Sequence, residues 1–382
     1  MTNALSRAVR ALTRGGLVTL ATLTLATTTH AATIVSDGSD GEFSGGATLQ
    51  LDADGIFNFT NITIPNGATL RLTPNAANTP AVLAATGDVV IDGTIDVSAG
   101  HFSRLAYGPG GGSGGLAGHG AEAGTTGTGP SPGAGGEFPP SLNPGNAGGG
   151  GGMATPGLAA TQYTNSAPGA GGGMIGFSGP IGGSGGGGGS GAFRFADLSG
   201  GVGGAGGGGL LITTPGTITV NGSILANGGH AGWAFANVFG YGGPGGGGSG
   251  GNIMLEATEI SLGAAATVSA LGGAGGGLSR QPVPNDPYFY SNEADGGLGY
   301  LALVADTVTL DPAATVNAAV VPVPPAIWLF GSVLFAGALR SRRRDQARGN
   351  TATAGARGPV RPRLRGLCVP VRLTPRVCRS AL

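Results

Sequence analysis

The chain contains no lysine, so all 19 of its basic residues are arginine. Its two cysteines, Cys368 and Cys378, lie near the C-terminus, which leaves residues 1–367 with no thiol for a disulfide or a cysteine zinc site. Charged residues are only 10% of the chain and aromatics 5%. A lysine-dependent phosphate loop is therefore excluded. No His-x-x-x-His or Glu-x-x-His spacing is present, so zinc has no convergent ligands.

The net charge of zero hides an uneven distribution. Between residues 32 and 339 there are 18 acids against four arginines, Arg71, Arg104, Arg194 and Arg280, a net charge of −14. The basic residues sit in the two ends. An acidic body of this kind excludes nucleic acid as a partner, because phosphate backbones are held by clustered lysine and arginine. With no cysteine, it must be held by packing and backbone hydrogen bonds.

Glycine is the abundant residue, 83 of 382, roughly three times its ordinary share. It is concentrated between residues 108 and 277. No strict three-residue period with proline exists, so the stretch is not collagen-like. Taken alone it reads as a flexible insert, since ordering glycine has a high entropy cost.

Around the glycine runs a repeat of about 20 residues. Its copies are residues 81–100, 210–229, 252–273 and 300–318. Each holds an apolar strand, a second strand such as Thr217-Ile218-Thr219-Val220, and a shorter third piece such as Thr94-Ile95-Asp96-Val97. Asn-Gly, Asp-Gly or Asp-Pro turns separate the pieces. Period-two alternation sends Val89 and Ile91, Ile218 and Val220, Ile260 and Leu262, and Val308 and Leu310 to one face. Alternating strands at 47–51, 55–59, 61–64 and 68–72 supply earlier turns, with Phe57 and Phe59 near the start. The fold class expected is all-β, a parallel β-helix (β-solenoid) with long glycine-rich loop insertions. The alternative is an antiparallel β-sandwich. The glycine blocks, 101–209, 230–251 and 272–298, all follow the third strand, so they should emerge on one side.

Candidate chemistry within the body is sparse, and no catalytic residue, metal site or cofactor is expected. Asp52-Ala53-Asp54-Gly55-Ile56-Phe57-Asn58 opens like a Ca2+ loop but lacks the later acidic ligands; Asp37-Gly38-Ser39-Asp40-Gly41 is similar and shorter. Both read first as turns, with Ca2+ as the weaker reading. Asp88, Asp92 and Asp96 alternate along one outward face with Arg104 nearby in sequence. A polysaccharide-active enzyme, a lyase or glycoside hydrolase, would need such carboxylates in pairs, but the other repeats place Thr217, Asn221 and Leu225 there. His101 and His230 hold matching repeat positions. Aromatics among the glycines, including Trp233, Phe235 and Tyr241, can pack the loops or stack on sugars.

The termini carry the addresses. Arg7, Arg10 and Arg14 precede an apolar stretch at 17–26, and Thr29-His30-Ala31 offers a cleavage site between Ala31 and Ala32. This is the pattern of a secretory signal peptide. Near the C-terminus, Val321-Pro322-Val323-Pro324-Pro325 is followed by an apolar run at 326–339 containing Trp328. Arg340, Arg342, Arg343 and Arg344 come next. The prolines hold an extended segment, the apolar run can enter a bilayer, and the arginines stay on the cytoplasmic side. This order resembles the PEP-CTERM sorting signal of Gram-negative bacteria, in its Val-Pro-x-Pro variant, with Val323 where the usual motif has Glu. The resemblance implies export, a transient inner-membrane anchor formed by one C-terminal transmembrane helix, and processing by an exosortase. Such chains normally end soon after the arginines; this one continues for 38 residues rich in Arg and Pro, which read as disordered.

The domains expected are thus a signal peptide (1–31), a glycine-rich solenoid body (32–317), the sorting signal (318–344) and the tail (345–382). The function expected is that of an exported cell-surface or extracellular-matrix structural protein, with exopolysaccharide as a further partner.

Overall fold

A computed structural model describes residues 35–139, 145–160, 167–193, 197–237, 240–277 and 294–322. Every regular element among them is a strand. The chain opens with β1 (Phe43–Ser44) and β2 (Ala47–Gln50). A full circuit of three strands follows, β3 (Ile56–Phe59), β4 (Ile62–Ile64) and β5 (Thr69–Thr73), then another, β6 (Ala81–Ala85), β7 (Val89–Ile91) and β8 (Thr94–Asp96). Within the glycine region lies a small antiparallel pair, β9 (Ala192–Phe193) and β10 (Asp197–Leu198). The circuits resume with β11 (Leu210–Thr213), β12 (Thr217–Val220) and β13 (Ser223–Leu225). A second small pair, β14 (Ala236–Asn237) and β15 (Gly240–Tyr241), precedes β16 (Ile253–Leu262) and β17 (Thr267–Ser269). Last come β18 (Tyr300–Leu310), β19 (Thr315–Asn317) and β20 (Ala319–Pro322). In β16 and β18 the first two strands of a circuit have fused into one.

Each circuit lies on the one before in parallel register. Val82, Leu211, Met254 and Ala302 form one rank. Ile91, Val220, Leu262 and Leu310 form a second, and Ile95, Ile224, Val268 and Val316 a third. The antiparallel sandwich is therefore not what forms. A circuit of about 20 residues returns the chain to the same end of the sheet, and only parallel pairing results.

The alternation in the second and third strands decides what is inside. Val89, Ile91, Ile218, Val220, Ile224 and Ile260 are fully buried in one continuous apolar core. The first strands differ, because they are covered on both faces: Val82, Ala84 and Leu211 point away from that core into a small cluster of their own, packed by Ile56 and Met254. Near-continuous apolar runs are what two-sided burial demands. At the start of the stack, Phe43, Phe57 and Phe59 pack together, with ring centroids 5.3 Å and 5.8 Å apart. Asp40 closes the edge of β3 there, donating its N–H to the Asn58 carbonyl and accepting the Asn58 N–H on Oδ2. At the other end Val308 and Leu310 hold inward ranks yet are 41% and 49% exposed. There β20 pairs only with residues 300–303, and no described strand covers the rest of β18.

The glycine blocks form one body. Segments 112–118, 122–128, 133–136, 146–149, 201–207 and 243–249 surround the central segment 182–191. Gly183, Gly186 and Gly189 donate to Gly207, Gly204 and Gly201. Gly185, Gly188 and Gly191 donate to Thr128, Thr125 and Glu122, while Gly187 and Ser190 donate to Gly149 and Asn146. In return, Gly183, Gly186 and Gly189 accept from Gly112, Gly115 and Gly118. Gly185 and Gly188 accept from Gly133 and Gly136, and Ser184, Gly187 and Ser190 from Ser249, Gly246 and Gly243. All of these bonds are 2.7–3.0 Å long. The partner changes every residue and returns every third, which is the period of an extended polyproline-II-type helix. Three N–H and three C=O directions per turn give six neighbours, hence a hexagonal array. The flexible-insert reading is thereby replaced, because every turn is tied to its neighbours through the backbone.

Distance, not φ, makes glycine necessary here. No residue of 182–191 has positive φ. A Cβ on Gly187 would stand 1.9 Å from the Ala134 carbonyl oxygen, and one on Gly189 would stand 1.9 Å from that of Gly243. The array grows straight out of the circuits: Gly208, Gly251 and Gly299 donate to the carbonyls of Val97, Ala226 and Ala270 at the ends of the third strands.

Two contrasts test this architecture in the purified protein. Val220→Asp or Leu262→Asp places an unpaired carboxylate in the core and should cost several kcal/mol. Thr219→Asp or Ser261→Asp, one residue away on the outer face, should cost within about 0.5 kcal/mol. Equal losses of urea midpoint in the two pairs would refute the register. In the array, Gly187→Ala should destabilise by at least about 2 kcal/mol, since its neighbours are backbone and cannot yield. Gly176→Ala, with nothing within 4 Å of the new Cβ, should leave the midpoint nearly unchanged.

Candidate functional site

The acids singled out by alternation are used to tie circuit to circuit. Asp88 accepts both the N–H and the hydroxyl of Thr217, at 2.8 Å and 2.9 Å. These bonds, the backbone one first, hold its carboxyl below the usual carboxylate range. Asp92 accepts from the Asn221 amide at 2.8 Å. Asp96 pairs with Arg71 of the preceding circuit, and Arg71 also donates to the Ser98 carbonyl. The cation beside this row is thus Arg71 and not Arg104, because parallel register sets Arg71 against Asp96.

The two acidic loops are turns. Asp54 Oδ1 accepts the N–H of Ile56, and Asp37 Oδ1 that of Ser39. Asn75 reaches the Asp52 carbonyl. Gly55 at φ +79° makes the tight reversal, and a Cβ there would strike Thr79 and Pro80. Among the described residues no group of three His, Cys, Asp or Glu side chains is placed to hold a metal ion.

The far end of the array carries rings. Residues 119–122, 191–193, 197–199, 233–237 and 240–242 meet there, away from the circuits. His119 Nδ1 lies 2.8 Å from Ser199 Oγ, and the Phe235 N–H donates to the Ser199 carbonyl. Phe193, Trp233 and Phe235 are exposed.

At the near end His101 and His230 stack, with ring centroids 4.2 Å apart and planes at 19°. His101 Nδ1 accepts the N–H of His230 at 3.3 Å, and His230 Nδ1 accepts that of Ala274 at 2.7 Å. Both rings are therefore held as the Nε2–H tautomer. Phe102 lies 6.2 Å from each of them, ring centroid to ring centroid. Its backbone is left-handed, φ +57°. Sequence matching brought the two histidines to one face; the conformation of Phe102 has no sequence signal.

Of the residues expected to form a sorting motif, Val321 and Pro322 belong to β20, where they pair with Ala302 and Leu303. The sheet of the circuits thus continues through β20 to Pro322. Ala31, Ala32, Val323, Pro324, Trp328, Arg342, Arg343 and Arg344 lie outside the described residues. So does the expected transmembrane helix at 326–339. Among the described residues no helix is long and apolar enough to cross a membrane. No family model, curated protein or solved structure matches the chain.

His230 makes stability depend on pH. Burial, then the neighbouring His101, lowers the pKa of His230, with Asp295 opposing. A lowered folded pKa means that protonation opposes folding. The contribution is complete above the unfolded value of about 6.5 and is lost as pH falls through the folded pKa. Urea midpoints of the wild type should fall across that window, and those of His230→Gln should fall less. Parallel profiles would show that His230 does not contribute to the pH dependence.

Proposed function

We propose that this protein is an exported scaffold of the cell surface or extracellular matrix. Its body is a parallel β-helix with a polyglycine array as a side extension, and its C-terminal segment is a PEP-CTERM-type signal processed by an exosortase. The observation that carries the reading is the place of Val321-Pro322. These two residues lie on the last strand of the stack, in extended conformation at a sheet edge, and an extended main chain is what a processing enzyme would grip. Export, a transient inner-membrane anchor at 326–339 and release follow from the three-part order of the signal.

Two features support a scaffold over a polysaccharide-cleaving enzyme. Asp88 and Asp92, which flank β7, and Asp96 on β8 of the other sheet are each engaged by a neighbouring circuit, so they act as cross-ties. The central segment of the array is tied through its backbone to six neighbours, which leaves side chains to the outer positions. Association with exopolysaccharide fits the exposed rings around the array.

Processing tests the sorting half of the reading. In an exosortase-containing host, the paired change Pro322→Ala and Pro324→Ala should leave the full-size precursor accumulated in the membrane fraction, while the wild type is shortened and released. Equal product sizes on an immunoblot would remove the motif assignment.

A further inference from the structure

We propose that His101, Phe102 and His230, flanked by Asn227 and Leu271, form a binding site for a neutral saccharide. The inference rests on the association with polysaccharide proposed above and gives it a place. Phe102 carries the first part of the argument. A bulky residue at positive φ is strained, and Phe102 holds φ +57° with its side chain 58% exposed. Its N–H donates to the His230 carbonyl at 3.0 Å, a bond that glycine would make equally well without the strain. The fold gains nothing visible from the ring, in a region where glycine is the common residue. An outlier held against the fold's own interest points to a use for the side chain.

The histidines carry the second part. Their Nδ1 atoms are both occupied by backbone N–H groups of the next circuit. Each Nε2–H is left as a donor with no hydrogen-bond partner among the described residues. Stacking sets the two donors side by side, one circuit apart. In the adjoining outer rank, Asn227 Oδ1 is taken by the Ser269 hydroxyl and the Leu271 N–H, which turns its amide nitrogen to the donor role. Leu271, 42% exposed, adds an apolar patch. The face thus offers one open aromatic ring, one aliphatic side chain and a short row of uncharged N–H donors.

That set matches a pyranose. Its C–H face can lie on Phe102 while its hydroxyl oxygens accept from the imidazoles and the amide. Burial, with His101 beside it, lowers the pKa of His230 and so favours its neutral form. An anionic sugar is disfavoured by Asp295, which influences His230 and accepts the Gly275 N–H, and by a body with net negative charge.

Isothermal titration of the purified full chain with cellohexaose, mannohexaose and, as anionic control, hexagalacturonate tests the site. The wild type should bind at least one neutral hexasaccharide and not the anionic one. Phe102→Gly should weaken that binding by about tenfold or more, with a urea midpoint equal to or above the wild type's. Tight binding by Phe102→Gly would overturn the site while leaving polysaccharide association in place. Paired loss in Trp233→Ala and Phe235→Ala would then move the association to the far end of the array. A fall in both midpoint and binding in Phe102→Gly would make the ring structural and overturn the site. Absence of binding by the wild type would overturn both the site and the association, without touching the processing result.

Discussion

Every buried backbone N–H and C=O must find a partner, and in the described glycine array the partners are mostly other backbone groups. In the glycine array the core is the main chain itself. An apolar core lowers free energy by removing hydrocarbon from water. The array has little hydrocarbon to remove, so its cohesion comes from hydrogen bonds, each worth a net ~1 kcal/mol, and from contacts between backbones. Such bonds form only if the segments approach closely, and a single methyl group at Gly187 or Gly189 would block the approach. Close approach is the constraint, and the composition follows from it.

Ordering glycine is costly in entropy, and the β circuits reduce that cost. Each array segment is short and leaves from, or returns to, a strand whose position is fixed by the apolar core. Val97, Ala226 and Ala270 directly follow third strands and accept from array glycines. The isoleucine, leucine and valine ranks therefore stabilise the array indirectly, by holding its roots in register. Serine marks where the pattern admits a small side chain. Ser184, Ser190 and Ser249 are fully buried. Their hydroxyls accept N–H groups from Ser131, Asn146 and Ser184, taking a carbonyl's role.

The circuits were legible because two local signals agree. Alternation chose the inward residues, and the 20-residue repeat chose parallel stacking. The array was not legible, since glycine at all three positions of a turn erases the period that would reveal it. A trace survives at the surface. Ser113, Leu116 and His119 are three apart on an outer segment, and the outward N–H groups of Ser113 and Leu116 are taken by the hydroxyls of Thr128 and Thr125. The partners lie far apart in sequence, as Gly112 and Gly183 do, so no local rule finds them. The same limit explains Arg71: Asp96 is closer to Arg104 in sequence, but stacking, not proximity along the chain, sets the pairing. Of the candidate sites, matching repeat positions brought out the histidines, whereas the strained ring beside them depends on a backbone angle that no pattern encodes.

The two ends of the stack are built differently, and the difference bears on function. The first end is closed by Phe43, Phe57 and Phe59 and by the two bonds between Asp40 and Asn58. The last end leaves the second half of β18 without a described strand over it, with Val308 and Leu310 open. Unpaired strand edges bind other strands readily, so natural solenoids close them. Here the uncovered edge adjoins the strand that carries Val321 and Pro322. The first two residues of the segment read as the sorting motif are therefore paired at a sheet edge. Cleavage there would separate chain from chain without disturbing a complete circuit, because the apolar ranks up to Leu262 and Val268 are already buried by the circuit above them.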